Sequence, residues 1–156
     1  MAREPQGAGR MTDRHIDPER PQFEAFKALP RDSVIHMLNL VRFKEKATYA
    51  EGHALAGQGL TGAEAYRHYG ADSGPVFERV GGRIVWSGTM EAMLIGPDGE
   101  RWDAVFVAEY PNSGAFLEMV TDPVYREAVK HRQAAVETSR LIRCAPNASQ
   151  GDTVFG

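Results

Sequence analysis

The amino-acid sequence predicts an α+β fold in which helices pack on one antiparallel sheet of four strands. The predicted elements follow the order strand, helix, strand, strand, helix, strand. The first strand, residues 34–43, is apolar at both alternating sets of positions, which is typical of a strand covered on two sides. A length of 156 residues is ordinary for one domain. We therefore expect a single sheet-based domain.

The N-terminal region precedes this domain and has two predicted parts. Residues 1–15 are polar and lack periodicity, so we interpret them as a disordered lead, and removing residues 1–10 should leave the melting temperature unchanged. Asp17 as N-cap and Pro18 as the first helical residue predict a short helix that ends at Pro30. Residues 16–32 are thus a helical extension.

The first long helix has a clear start signal. Residues 44–60 have no period and are predicted to be a loop, whereas Thr61 and Glu64 form a capping box. The apolar stripe continues through Pro75, which indicates one kinked helix. Residues 57–62 fit G-x-G-x-x-G, but no strand precedes them, so we reject nicotinamide dinucleotide binding.

The second half repeats the same kinds of element. Residues 83–96 and 102–110 are predicted strands, with a bulge at Gly88 in the first of them. A helix begins at Asn112, restarts at Asp122-Pro123 and runs to about residue 137, and residues 139–144 form the last strand. The domain therefore spans residues 33–145, and residues 146–156 are a loose tail.

This element order is the ferredoxin-like split arrangement, βαββαβ, with both helices on one sheet face. Since the first strand is apolar on both faces, one face would stay uncovered in a monomer. A second copy is the economical cover, so we expect a homodimer whose sheets meet face to face. If the face that carries Met37 and Phe43 meets the partner, aspartate at either position should dissociate or unfold the dimer.

Composition excludes several classes of function. The net charge of -3 and the pI near 6.0 give no basic footprint for nucleic acid or an anionic membrane. The sequence shows neither a signal peptide nor an apolar run long enough for a bilayer. The single Cys144 rules out a disulfide framework and suits a reducing, cytoplasmic compartment. The five histidines lack metal-site spacing, so we expect neither a metal nor a cofactor.

Four segments together resemble a known family over residues 33–144: HMLNLVRF, GGRIVWSG, AVFVAEYPNSGAF and DPVYREAVKHR. They are similar to the DUF1330 family of the dimeric α+β barrel superfamily. The family's F-P-S signature departs at two positions in Tyr110-Pro111-Asn112, while its Tyr and Arg seven residues apart match Tyr125 and Arg132. The resemblance implies the fold and the dimer, and no settled activity.

Several polar or aromatic residues are candidates for a ligand cleft between sheet and helices. Asn39 and Arg42 resemble polar residues that related barrels place at the pocket, while His36 and Asn39 lie on opposite faces of one apolar strand. Tyr66 and Tyr69 lie on the sheet-facing stripe of their helix. Each of these residues could have a purely structural role instead of binding a ligand. Trp86 either packs against the second copy in the dimer or covers a bound ligand.

Arg132 lies in the middle of the apolar stripe of the last helix and is predicted to point inward. A guanidinium cannot shed its charge there, so it needs an acidic or a ligand partner. Glu109 is the acidic residue that we expect, either in a structural ion pair or beside a bound ligand anion.

Three hypotheses about function remain open. The first is a cofactor-independent enzyme, such as a monooxygenase or isomerase, in which Asn39, Arg42 or Arg132 stabilises an oxyanion and Glu109 or His36 is the acid or base. The second is a non-catalytic binding or accessory protein. The third is haem binding, as in some barrel relatives, for which His36 and His131 are the plausible ligands. The expected partners are a second copy and an unidentified small molecule.

Overall fold

Strands β1 (Ile35–Phe43), β2 (Arg83–Gly88), β3 (Ala104–Tyr110) and β4 (Val136–Cys144) pair in the order β2–β3–β1–β4, and every pair is antiparallel. Helices α1 (Arg20–Ala28), α2 (Gly62–Arg79), α3 (Ser113–Thr121) and α4 (Pro123–Ala135) complete the fold. The computed structural model describes residues 14–147. The predicted ferredoxin-like arrangement is confirmed, with α1 added before it. The proposed deletion of residues 1–10 lies outside the described residues.

Helix α2 forms as its start signal predicts. The Thr61 hydroxyl accepts from the Glu64 backbone N–H at 3.0 Å, and the Glu64 carboxylate accepts from the Thr61 N–H at 2.9 Å. The helix runs unbroken through Pro75. The preceding glycine-rich segment is a loop in which Gly57 and Gly59 both have φ of 75°.

Some predicted boundaries are wrong for local reasons. Helix α1 begins at Arg20 with Glu19 as its N-cap, because the Asp17 carboxylate instead accepts from the Gln133 amide. Strand β2 ends at Gly88, since its partner β3 begins only at Ala104 and residues beyond Gly88 have no strand to pair with.

Two further details of the strands differ from prediction. The irregularity in β2 lies between Ile84 and Trp86, and Gly88 instead leaves room for the Trp86 ring, which would meet a Cβ at 2.8 Å. Strand β4 begins three residues earlier than predicted because the chain passes directly from α4 into it at Val136.

All four helices lie on the same sheet face, which we call the inner face. Two core clusters form there. The first comprises Ile35, Met37, Val76, Ala108, Tyr110, Ala115, Phe116, Met119 and Tyr125, and the second comprises Val41, Ala65, Ala135 and Val136. Helix α1 joins the first cluster through Phe26, whose ring centroid lies 5.1 Å from that of Phe116. The helix layer therefore covers one face, on which Ile84 and Leu141 of the edge strands stay 49% and 42% exposed, and it leaves the other face without a helix.

The opposite face, which we call the open face, carries an apolar patch. Strand register places six apolar side chains there: Leu38, Leu40, Trp86, Val105, Val107 and Ile142. Trp86 is 54% exposed and Ile142 is 44% exposed. Met37 and Phe43 instead contact the inner cores, so they are the wrong positions at which to test a contact through the open face. Leu38 and Leu40 are the corresponding residues of that face.

Candidate functional site

The residues selected from the sequence divide between the two faces of the sheet. Asn39 lies on the inner face opposite Phe106, together with the helix residues Tyr66, Tyr69 and Arg132. The open face carries the remaining four: His36, Arg42, Trp86 and Glu109. One cleft therefore cannot contain all eight residues.

Arg132 points inward, as its place on the α4 stripe predicts. Its guanidinium donates to the Ser139 hydroxyl at 3.1 Å and to the backbone carbonyl of Ile16, and its charge acts on the Tyr66 phenol. The predicted partner Glu109 is wrong, because register places that carboxylate on the open face. Arg132, Tyr66, Tyr69, Tyr125 and Ser139 form what we call the inner site.

The charge of Arg132 has no carboxylate within 4.0 Å among residues 14–147. Its hydrogen-bond partners, the Ile16 carbonyl and the Ser139 hydroxyl, are neutral oxygens. A guanidinium stays protonated in a protein. The inner site therefore holds a positive charge that is hydrogen-bonded but not neutralised by an adjacent anion.

Three tyrosine hydroxyls lie near this charge. The Tyr69 and Tyr125 hydroxyl oxygens are 2.9 Å apart, and the Tyr66 and Tyr69 ring centroids are 5.3 Å apart. Burial raises the pKa of all three phenols, although the charge of Arg132 partly offsets this effect. The hydroxyls consequently remain protonated and can donate hydrogen bonds. Asn39 is satisfied locally, since its amide donates to the Met37 carbonyl at 3.1 Å.

Residues 14–17, which we call the N-terminal strap, close this site from the α4–β4 side. The Ser139 hydroxyl donates to the His15 carbonyl at 2.7 Å, and the His15 N–H donates to the Thr138 hydroxyl at 3.1 Å. The Ile16 side chain packs on the second core cluster. Arg14 and His15, which belong to the predicted disordered lead, thus have defined contacts with β4.

The predicted acid–base pair does come together, on the open face. His36 Nε2 donates to Glu109 Oε2 at 2.9 Å, and Arg83 Nε donates to Glu109 Oε1 at 2.8 Å. The His36 hydrogen bond is the main cause that holds the pKa of Glu109 below its usual range, and Arg83 adds to it. Cys144 lies directly opposite His36 on β4. The catalytic roles of His36 and Glu109 stay predictions.

The sequence reasoning missed a second polar cluster between α2, α4 and the loop before α2. His131 is 8% exposed, its Nδ1 lies 2.6 Å from the Tyr49 hydroxyl and its Nε2 lies 3.1 Å from the Asp72 carboxylate. The exposed His68 stacks on His131 with ring centroids 5.2 Å apart. The four-residue spacing of His68 and Asp72, which places both on one face of α2, could have indicated this cluster. The contribution of Tyr49 could not be predicted, because Tyr49 lies in a loop without a periodic pattern.

Two observations describe this cluster and its surroundings. No group of three or more His, Cys, Asp or Glu side chains in residues 14–147 is arranged to hold a metal ion. An open groove of about 490 Å³ lies between α2 and α4 next to Asp72, and it contains none of the residues selected from the sequence. Its lining residues are Ala71, Asp72, Pro75, Pro123, Val124, Glu127 and Ala128.

The fold and its helix-covered inner site define a ferredoxin-like α+β protein. The family model described as "Domain of unknown function (DUF1330)" matches residues 42–143. The chain belongs to the DUF1330 family.

Two solved structures of the protein RPA0582 are similar over nearly their whole length. The methylated form is 59% identical with a TM-score of 0.82, covering 88% of this chain and 98% of that chain. The second, described as a protein of unknown function from Rhodopseudomonas palustris, is 58% identical with a TM-score of 0.81, covering 88% and 100%. No curated protein matches.

A more distant structure is the hydroxynitrile lyase from Passiflora edulis. It is 12% identical with a TM-score of 0.48, and the match covers 76% of this chain and 97% of that chain. A likeness this weak carries no functional argument. Among residues 14–147, no helix is long and apolar enough to cross a membrane.

Proposed function

We propose that this protein is a homodimer in which each protomer binds a small carboxylate-bearing molecule at the inner site. The observation that supports the proposal is the inward guanidinium of Arg132, which is held by neutral oxygens alone. A carboxylate matches the two-pronged donor geometry of a guanidinium, and charge-assisted hydrogen bonds are roughly twice as strong as neutral ones. The ligand would supply the missing counter-charge.

The surroundings of Arg132 suit such a ligand. The protonated hydroxyl of Tyr66 offers a further hydrogen-bond donor beside the guanidinium. The rings of Phe43 and Tyr66 lie 5.0 Å apart, and Phe106 packs on the same core cluster. Aromatic walls with a few placed polar groups are typical of small-molecule sites. We therefore expect a ligand with an apolar body.

We favour binding without catalysis at this site over the enzyme hypothesis. The acid–base pair His36 and Glu109 lies on the opposite face of the sheet from Arg132, so these groups cannot act on one substrate within a protomer. Haem ligation has less support, because both ring nitrogens of His131 already have hydrogen-bond partners.

The homodimer part of the proposal rests on the open face. Its apolar side chains lie in one continuous patch across four strands, and Trp86 is more than half exposed. Large exposed apolar patches mark interaction surfaces. A second copy presents the same patch, so two open faces can cover each other around a two-fold axis.

The binding proposal is tested by isothermal titration with benzoate, which joins a carboxylate to a compact apolar ring. Benzamide, its neutral analogue, should bind at least tenfold more weakly. Arg132→Met should weaken benzoate binding by about 1.5–3 kcal/mol, the usual contribution of a hydrogen bond to a charged group. Arg126→Met removes an exposed arginine of the same helix and should have no effect. An equal loss of benzoate affinity in Arg132→Met and Arg126→Met would contradict the proposal. So would equal affinity of the wild type for benzoate and benzamide.

A further inference from the structure

We infer that the N-terminal strap is a built-in substitute for the ligand, and that Ile16 occupies the position that a bound carboxylate takes. This inference rests on the proposed function and narrows its ligand class to carboxylates with a compact, branched or cyclic apolar body. Such a ligand enters the inner site by displacing residues 14–17.

Ile16 presents the two chemical features that the ligand needs. Its carbonyl oxygen accepts a hydrogen bond from the Arg132 guanidinium, as a carboxylate oxygen would. Its side chain packs on the core cluster of Val41, Ala65, Ala135 and Val136. Ile16 thus supplies both the hydrogen-bond acceptor and the apolar group. A molecule that replaces Ile16 needs an acceptor and an apolar group in the same arrangement.

The attachment of the strap is compatible with its release. Side-chain interactions hold it at Arg14 through the Glu137 carbonyl and carboxylate, at His15 through Thr138 and Ser139, and at Asp17 through Gln133. Within the described part of the chain, no backbone–backbone hydrogen bond joins residues 14–17 to β4. The strap can therefore leave without breaking any pairing of the sheet.

Replacement of Ile16 by the ligand is favourable because a charged carboxylate takes the place of the neutral Ile16 carbonyl as acceptor for Arg132. The carbonyl of Ile16 leaves the charge of Arg132 uncompensated, whereas a carboxylate neutralises it. The strap competes with the ligand for one position, so the apparent Kd equals the intrinsic Kd divided by the fraction of molecules with the strap open. Removing the strap should tighten binding without any new contact.

The test compares three proteins by titration with benzoate: the full chain, a variant lacking residues 2–13 and a variant lacking residues 2–17. The first deletion keeps the strap and is the matched control. We expect the full chain and the control to agree, and the variant without the strap to bind about tenfold more tightly or better. Circular dichroism melting establishes that each variant is folded.

A second variant covers the case in which loss of Ile16 unfolds the protein. Gln133→Ala combined with Thr138→Val removes two anchors of the strap and leaves Arg132, Tyr66 and Ser139 unchanged. It should also bind benzoate more tightly than the full chain. Equal or weaker binding after release of the strap overturns this inference and leaves the proposed function standing. Absence of benzoate binding in all the proteins overturns both.

Discussion

His36 on β1 and Glu109 on β3 face each other on the open face, with Nε2 and Oε2 2.9 Å apart. Arg83 on the edge strand β2 holds the second carboxylate oxygen of Glu109 at 2.8 Å. Three strands thus contribute to one polar row at the end of an apolar patch. The two donors of this row stabilise the ionised form of the Glu109 carboxyl.

His36→Phe should raise the pKa of Glu109, because the His36 hydrogen bond is the largest cause of its depression. A carboxyl whose pKa is lowered by folding contributes stability above its unfolded value, here 4.5, and loses it as pH falls through the folded value. The acid limb of the stability curve should therefore be flatter in the variant. NMR titration of the Glu109 carboxyl provides the measurement. Arg83→Gln should produce a smaller rise, and an unchanged pKa in His36→Phe would refute the assignment.

His131 should make the protein less stable in mild acid. Burial is the main cause that lowers its pKa below the ordinary 6.5, with His68 and His53 adding to it against Asp72. A histidine that is buried in its neutral form contributes stability that is complete above pH 6.5 and decreases as pH falls below that value. Urea unfolding between pH 7.5 and 5 should show this loss.

The variant His68→Gln tests whether His68 contributes to the lowered pKa of His131. It removes a neighbouring positive charge, so the pKa of His131 should rise toward 6.5 in an imidazole NMR titration. His131→Gln should lower the free energy of unfolding at pH 7.5 by about 1–3 kcal/mol, because the Tyr49 and Asp72 hydrogen bonds are disturbed. A steeper acid-induced loss in His131→Gln than in the wild type would count against this account.

Leu38→Glu should convert a dimer into a folded monomer. Leu38 lies on the open face, so a charge there disrupts contact between copies without entering the core. Met37→Glu, one residue earlier, places the charge in the inner core, where Met37 is 3% exposed, and should unfold the chain. Light scattering at micromolar concentration and circular dichroism distinguish the two results. A monomeric wild type would show that the open face has another role.

Gly62→Ala should destabilise the protein by about 1–3 kcal/mol, the usual range for overpacking. A Cβ at Gly62 would overlap the Lys44 carbonyl and lie 2.9 Å from the Ala135 carbonyl, where α2 begins against the rest of the fold. Gly70→Ala, in the same helix, meets nothing within 4 Å and should stabilise it by about 0.5–1 kcal/mol. Thermal melting of both variants gives the comparison, and similar melting temperatures would contradict it.

Much of the fold could be predicted because its signals are local. The capping box spans the four residues from Thr61 to Glu64, and the restart at Asp122-Pro123 involves two adjacent residues. The helical period alone placed Arg132 on the sheet-facing side of α4, since that angle depends only on neighbours in the sequence. Likewise, alternation along β1 correctly separated His36 from Asn39.

The partners of these residues depend on contacts that sequence periods do not describe. Arg132 meets Ile16 across 116 residues, and His131 meets Tyr49 across 82. Alternation along β1 does not show whether the set of residues with Met37 and Phe43 or the set with Leu38 and Leu40 faces the helices. The elements, their order and the inward direction of Arg132 follow from local patterns in the sequence. The register of the strands, the path of the strap and therefore the partner of each charge arise from pairing between distant segments, so they are visible only in the folded protein.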